Sequence, residues 1–321
     1  MRRSARAVTT LGFLLLATPA IAKAPSAIKL PDRQHPESIS IANGFAHAGS
    51  LKGGVVRISM KTGKAAPFIK PGAAGSSSTF GVLADTVNGL LWVCSNDQSA
   101  RGITIEGAQP GSVLHAFDLK TGVGKLSLPL PAVSASPLCN DMAVARDGTL
   151  YVAETSTSHI LRWKKGGATL EDWYHDPVLG TDKGSGLDGI AVGADGNLYV
   201  NNVQGNTMAR VTIQSDGTPG KATALALSAP INGPDGLRAL GGLRFVQAEG
   251  RGGKVAVVTI DGDTAQIETV AEGLASPTTV DVHDGVYWYT GANFPYLFDP
   301  VKKTQTPPPF ALSPAIPYAG H

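Results

Sequence analysis

Four oxygen-bearing side chains, Glu37, Asn140, Asp188 and Asp235, stand at matching positions in a repeated sequence unit, with Phe80 and Thr278 at the two remaining positions. Three carboxylates and an amide among six equivalent positions are not a core composition. If the units close into a ring, equivalent positions surround a single point. Three carboxylates about 5 Å apart, at an effective dielectric of about 20, would repel by roughly 3 kcal/mol per pair. The total, about 10 kcal/mol, rivals the stability of a whole domain. Such a group either retains protons or holds a cation. None of the six is His or Cys, and oxygen-only ligation selects a hard ion, calcium ahead of magnesium, over zinc or copper, with another divalent cation possible. A plain turn is the competing reading for Asp188 and Asp235, each followed by glycine. It leaves Glu37 and Asn140 without a reason.

The elements that must position these residues are β-hairpins. Asn140-Asp141-Met142-Ala143-Val144-Ala145-Arg146-Asp147-Gly148-Thr149-Leu150-Tyr151-Val152 aligns with Asp188-Gly189-Ile190-Ala191-Val192-Gly193-Ala194-Asp195-Gly196-Asn197-Leu198-Tyr199-Val200. Each copy has an alternating apolar run, an Asp-Gly turn and a second run ending in Leu-Tyr-Val, the pattern of a tight hairpin. Weaker copies begin at Glu37, Phe80, Asp235 and Thr278, giving six units with spacings of 43, 60, 48, 47 and 43 residues. The long interval contains an insertion, Gln98 to Pro110. Further strand-like runs follow most hairpins, at Gly54–Ile58, Ser112–Phe117, Ile160–Trp163, Met208–Val211 and Lys254–Val258. Repeats of this length with four strands predict an all-β, six-bladed β-propeller with four-stranded blades around a central tunnel. Ala27-Ile28-Lys29-Leu30 has no unit of its own and is assigned to the outer edge of the last blade. Thr304 to His321, with Pro307-Pro308-Pro309, is assigned to a closing strand and an extended tail.

The amino terminus reads as a Sec-type leader over residues 1–22: Arg2, Arg3 and Arg6, a short apolar run through Leu14-Leu15-Leu16, and Ala20-Ile21-Ala22 for cleavage. Residues 23–321 then form a single propeller domain in a periplasmic or secreted protein. Without the three leader arginines the 27 basic side chains fall to 24 against 25 acidic. That near-neutral balance, with no basic run, excludes nucleic acid and membrane as partners. The expected partner is a small molecule and the expected state a monomer. Hydrophobic residues at 42% against 16% charged are enough to bury a large core. Cys94 and Cys139 are a disulfide candidate in an oxidising compartment. Strand direction brings both to the tunnel-mouth face of adjacent blades, and two buried thiols are the alternative.

The Pro-Glu opening the first unit, Asn140-Asp141 in the third and Pro234-Asp235-Gly236 in the fifth resemble the SMP-30/gluconolactonase/LRE-like propellers, over most of the chain after the leader. The resemblance implies one divalent ion, usually calcium, at the tunnel mouth, with Glu37, Asn140 and Asp235 matching ligands of that pattern. Asp188 falls where such proteins more often carry Asn, and its extra charge should tighten ion binding. It also implies a calcium-dependent hydrolase of a lactone or related ester, the ion polarising the carbonyl. Asp235 would be ligand and general base or nucleophile. Asn96, Glu154 and Asn202, at the ends of second strands, are candidate substrate-binding residues. The alternative function is a non-catalytic periplasmic or secreted binding propeller with a structural calcium.

Other motifs carry no chemistry. Gly122-Val123-Gly124-Lys125 lacks the remainder of a phosphate loop, and no Gly-x-Ser-x-Gly elbow occurs. Asp261-Gly262-Asp263 is a hairpin turn. His47, His115, His159 and His175 have no ligand spacing, and Trp92, Trp163 and Trp288 fall on strands as core residues.

Overall fold

A computed structural model describes residues 25–32, 34–180 and 186–315. The expected leader and the end of the tail lie outside the described residues. Six antiparallel sheets form a six-bladed β-propeller with almost no helix. Blade one is Ile39–Ala42, Phe45–Gly49, Val55–Ser59 and Ala65–Ile69. Blade two is Ser78–Asp85, Leu90–Asn96, Ser112–Asp118 and Gly124–Pro129. Blade three is Cys139–Val144, Leu150–Glu154, His159–Trp163 and Glu171–Tyr174. Blade four is Leu187–Val192, Leu198–Asn202, Thr207–Ile213 and Pro219–Ala224. Blade five is Pro234–Gly241, Arg244–Glu249, Lys254–Asp261 and Thr264–Ala271, with Ala226–Leu227 added in parallel at its edge. Blade six is Thr279–His283, Val286–Thr290, Ala311–Ala315 and, from the other end of the chain, Ile28–Lys29, where Ile28 opposes Leu312. Among the described residues no helix is long and apolar enough to cross a membrane.

Local chemistry fixes the hairpins. Gly148 and Gly196, the second residues of the two Asp-Gly turns, hold φ of 87° and 82°, a region that penalises any side chain. The preceding aspartates accept from the backbone N–H of Thr149 (2.9 Å) and Asn197 (3.1 Å), closing each turn. Between blades the apolar faces pack in clusters: Trp92 and Trp163 meet edge to face at 4.8 Å across blades two and three. Trp288 packs with Ile39 and Leu312 where blade six meets blade one.

Every innermost strand starts at one end of the tunnel, and every second strand returns to that end. The blade-two insertion therefore opens onto this mouth, and so does the segment between Val286–Thr290 and Ala311–Ala315, which holds the short helix Pro295–Phe298. The two insertions meet there. Ile103, Ile105, Phe294, Leu297 and Phe298 share one apolar cluster with Leu51 and Phe80, and the Arg101 guanidinium lies 5.4 Å from the Phe298 ring centre. This roof makes the mouth asymmetric, covering the side of blades six, one and two.

A candidate ion site at the tunnel mouth

The innermost strands of blades two to five all break register where they enter the tunnel, between Thr79 and Val82, Cys139 and Met142, Leu187 and Ile190, and Pro234 and Leu237. These irregularities release Asn140-Asp141, Asp188-Gly189 and Asp235-Gly236 from pairing with the second strand. A bulge re-aims side chains in this way. The glycines are needed for packing, not for turning. A Cβ on Gly189 would drive into the Asp235 carbonyl and come within 2.8 Å of the Leu237 nitrogen. One on Gly81 would strike the Asn140 carbonyl. Glycine after the site residue thus lets neighbouring innermost strands close up around the mouth, and the plain-turn reading of the two Asp-Gly pairs does not hold.

The three ring carboxylates share one electrostatic field. Glu37 and Asp188 are 4% and 5% exposed, and Asp235 is half-buried. Burial pushes the Glu37 carboxyl well above its ordinary range, and the nearby Asp235 and Asp141 push it further. Asp188 is raised well above its range by burial, then by Asp235, Glu37 and Asp141. Asp235 is pushed up to about 8, chiefly by burial, against the opposing N–H of Gly236, which donates to it at 3.0 Å. Asp188 Oδ1 is buried with no hydrogen-bond partner. Asn140 adjoins this group, its amide donating to Thr155 Oγ1 (3.1 Å), which in turn donates to the Leu187 carbonyl (2.6 Å). Thr278 donates to the Glu37 carbonyl (2.5 Å), and Phe80 joins the apolar cluster under the roof.

An unpartnered buried carboxylate oxygen within an all-oxygen set short of positive charge fits a hard cation. Among the described residues, no three Asp, Glu, His or Cys side chains are gathered as a ready-made metal cluster. Ligation by Glu37, Asp188 and Asp235 therefore requires their side chains to converge.

The three expected substrate-binding residues are committed elsewhere. Asn96 lines a cavity of about 560 Å³ with Phe80, Gln98, Arg101, Leu138 and Ser156, but both ends of its amide are held by the Cys139 backbone. Glu154 accepts from the backbone N–H groups of Leu138, Ser156 and Thr157, and is fully buried. Asn202 donates to the Leu179 carbonyl and accepts from Gln204 and Gly205. All three oppose the first residue of the adjoining innermost strand and cap loops there. One position along, on the opposite face, stand the residues that reach the site: Thr155 on Asn140, and Asn201, which accepts from Gly189 N–H and donates to the Asp235 carbonyl, both at 2.8 Å.

Cys94 and Cys139 form a disulfide between blades two and three, with α-carbons 5.1 Å apart. It anchors the residue immediately before Asn140. Below the ring lies an ion pair absent from the sequence reading. Arg238 Nη1 donates to both oxygens of Asp141, at 2.8 and 2.7 Å, with the side chains 9% and 5% exposed. The signal was present: Arg238 and Asp281 occupy aligned positions where units three and four carry Ala143 and Ala191.

No protein-family model matches the chain, and no curated protein matches it in sequence. Solved structures do match in fold. The major allergen Mala s 1 of Malassezia sympodialis superposes with a TM-score of 0.68 at 15% identity, over 91% of this chain and 96% of the allergen. A candidate gluconolactonase superposes with a TM-score of 0.63 at 16% identity, over 94% and 96%. A calcium-binding protein, regucalcin of Agrobacterium tumefaciens, superposes with a TM-score of 0.59 at 18% identity, over 91% and 95%. A gluconolactonase-like propeller, the kind with which the sequence motifs were compared, is thus among the structural neighbours, and at these identities the likeness establishes the shared propeller fold.

Proposed function

We propose that the protein is a calcium-dependent hydrolase of a lactone or related ester, with its reaction centre at the tunnel mouth. The observation that carries this reading is the group of buried Glu37 and Asp188 and half-buried Asp235, in which Asp235 raises the proton affinity of the other two, with an unpartnered oxygen on Asp188. Likeness in fold to a calcium-binding regucalcin and a candidate gluconolactonase supports it. Glu37, Asp188 and Asp235 would hold the ion with the Asn140 carbonyl oxygen of the side-chain amide. Bound there, a divalent cation supplies Lewis acidity toward a substrate carbonyl.

The chain's own residues do the rest. Asp235 is the ring carboxylate that reaches solvent, so it can face the ion and a neighbouring water together. It is assigned the proton of the attacking water. Asn201 fixes the strand that carries it, through the Asp235 carbonyl. The cavity of roughly 560 Å³ beside Phe80 and Arg101 meets the ring at Phe80, is lined by none of the four proposed ligands, and is assigned to the part of a small ester that lies away from the ion. Arg101 and the serines on its wall give it polar contacts, while Phe80 and Leu138 give it an apolar side.

Simple lactones and aryl esters, offered to purified protein with and without a chelator, test the reading. Turnover that chelation abolishes and calcium restores is expected. Ion binding without turnover of any of these substrates would favour a binding propeller with a structural ion.

A further inference from the structure

The tunnel below the mouth carries carboxylates of its own. The buried carboxylate Asp141 acts through space on Glu37, Asp188 and Asp235 and on the half-buried Asp281, and the Arg238 charge opposes it at Glu37, Asp235 and Asp281. Its position is central. The guanidinium belongs to blade five and lies on Asp141 of blade three. Its Nη2 is 3.5 Å from Ser38 Oγ and the Ile39 carbonyl of blade one and from the Val82 carbonyl of blade two. Asp141 Oδ2 also faces the backbone N–H of Ile190 in blade four and of Leu237 in blade five, both at 3.4 Å. Asp281 of blade six is held by the Ile41 and Val282 N–H groups, and the Arg238 charge acts on it through the tunnel.

Two aligned units place alanine where Arg238 stands, so packing the fold does not demand an arginine. A guanidinium cannot shed its charge to suit a buried site. It is a cation that never dissociates, positioned where carboxylates would otherwise recruit one from solution.

We infer that Arg238 is the tunnel's built-in counter-ion: by neutralising Asp141 it confines metal binding to the mouth and sets the stoichiometry at one divalent ion per chain. This rests on the ion-binding reading of the mouth. Removing the guanidinium while leaving Asp141 charged should turn the lower layer into a second cation site. Removing both charges should leave a neutral tunnel that still takes one ion.

Calorimetric titration of calcium into wild type, Arg238→Met and Asp141→Asn/Arg238→Met separates these outcomes. Wild type and the double variant are expected to bind one ion, and Arg238→Met two. Thermal unfolding in parallel should show Arg238→Met gaining more from calcium than wild type does. Absence of calcium binding by wild type defeats the mouth reading itself. One ion at wild-type affinity in both wild type and Arg238→Met leaves the mouth intact and overturns the role given to Arg238. If Arg238→Met fails to fold even in millimolar calcium while the double variant folds, an ion cannot replace the guanidinium, and the inference is equally overturned.

Discussion

Asn96 grips the backbone of Cys139: its Nδ2 donates to the Cys139 carbonyl at 2.8 Å and its Oδ1 accepts from the Cys139 N–H at 3.0 Å. The disulfide from Cys94 ends on the same residue. Blade two therefore holds the residue before Asn140 by two independent links, one covalent and one amide-to-backbone. The 45-residue separation of the cysteines gives the bond about 4 kcal/mol of stabilisation in the chain-entropy model. Cys94→Ala/Cys139→Ala should lose about that much in chemical denaturation, while calcium affinity falls little because Asn96 still holds the strand. Adding Asn96→Ala should then weaken the ion as well. A disulfide-free protein with an intact Asn96 that no longer binds calcium would show that the covalent link alone positions the site.

The ring carboxylates should separate by role. Glu37→Gln keeps shape but removes charge, and calcium affinity should fall by more than about tenfold, since ligand charge tunes such sites over decades. Asp188→Asn should act mainly on affinity. Asp235→Asn keeps an oxygen for the ion and loses the base, so turnover should drop by roughly 10²–10⁴-fold with the ion retained. Unchanged activity in Asp235→Asn would remove it from the mechanism, and an unchanged affinity in Glu37→Gln would remove Glu37 from the site.

The blades were legible in the sequence because Asp-Gly and Asn-Gly turns between alternating runs are local signals, readable without knowing what the strands pack against. The ring was legible because repetition superposes equivalent positions. What the alternation rule could not supply was the face of each residue near the mouth. Bulges at Cys139–Met142 and Leu187–Ile190 break the period there. Asp141, which strict alternation from Asn140 would turn away, reaches the tunnel and pairs with Arg238. The same one-residue sensitivity separates Asn202, a loop cap, from Asn201, which spans blades four and five. Arg238 was missed because a lone arginine in an apolar run reads as surface until its partner, 97 residues away, is known.

Without a cation the mouth should make the fold sensitive to base. The folded-state pKa values of Glu37, Asp188 and Asp235 are raised, so the folded chain binds protons that the unfolded chain has released. Their contribution is complete below the ordinary carboxylate range and is lost as pH rises, through about 8 for Asp235. Denaturation midpoints of chelated protein should therefore decline between weakly acidic and mildly alkaline pH, and saturating calcium should flatten that decline. An identical pH profile with and without calcium would contradict an ion among these carboxylates.

Two buried histidines should impose the opposite slope at low pH. His47 and His115 are 2% and 1% exposed, and burial lowers each to about 4. Both are neutral in folded and unfolded chains above the ordinary histidine range, so stability is complete there. As pH falls the unfolded chain takes up protons that the folded chain refuses, and by around pH 5 the loss is about 2 kcal/mol for each histidine. His47→Gln/His115→Gln should start less stable but show a much shallower acid slope, unaltered by calcium. A slope equal to wild type's would assign acid sensitivity to other groups.

Gly189→Ala tests whether the close approach of blades four and five is what places Asp235. The added methyl would run into the Asp235 carbonyl and lie 2.7 Å from Leu237 Cβ and 2.8 Å from the Leu237 nitrogen, atoms that cannot swing aside as a flexible side chain would. Overpacking of this kind costs about 1–3 kcal/mol. The strand bearing Asp235 must shift to relieve it, stretching the Asn201 bridge between Gly189 N–H and the Asp235 carbonyl. Gly196→Ala is the matched control. At φ 82° an alanine there is strained by about 1 kcal/mol, yet no atom lies within 4 Å of its added carbon, and the turn is at the far end of the blade. Both variants should melt earlier than wild type, but only Gly189→Ala should also lose calcium affinity and turnover. Equal retention of calcium by the two would mean that the approach of these strands serves packing alone, and that Asp235 is positioned by other contacts.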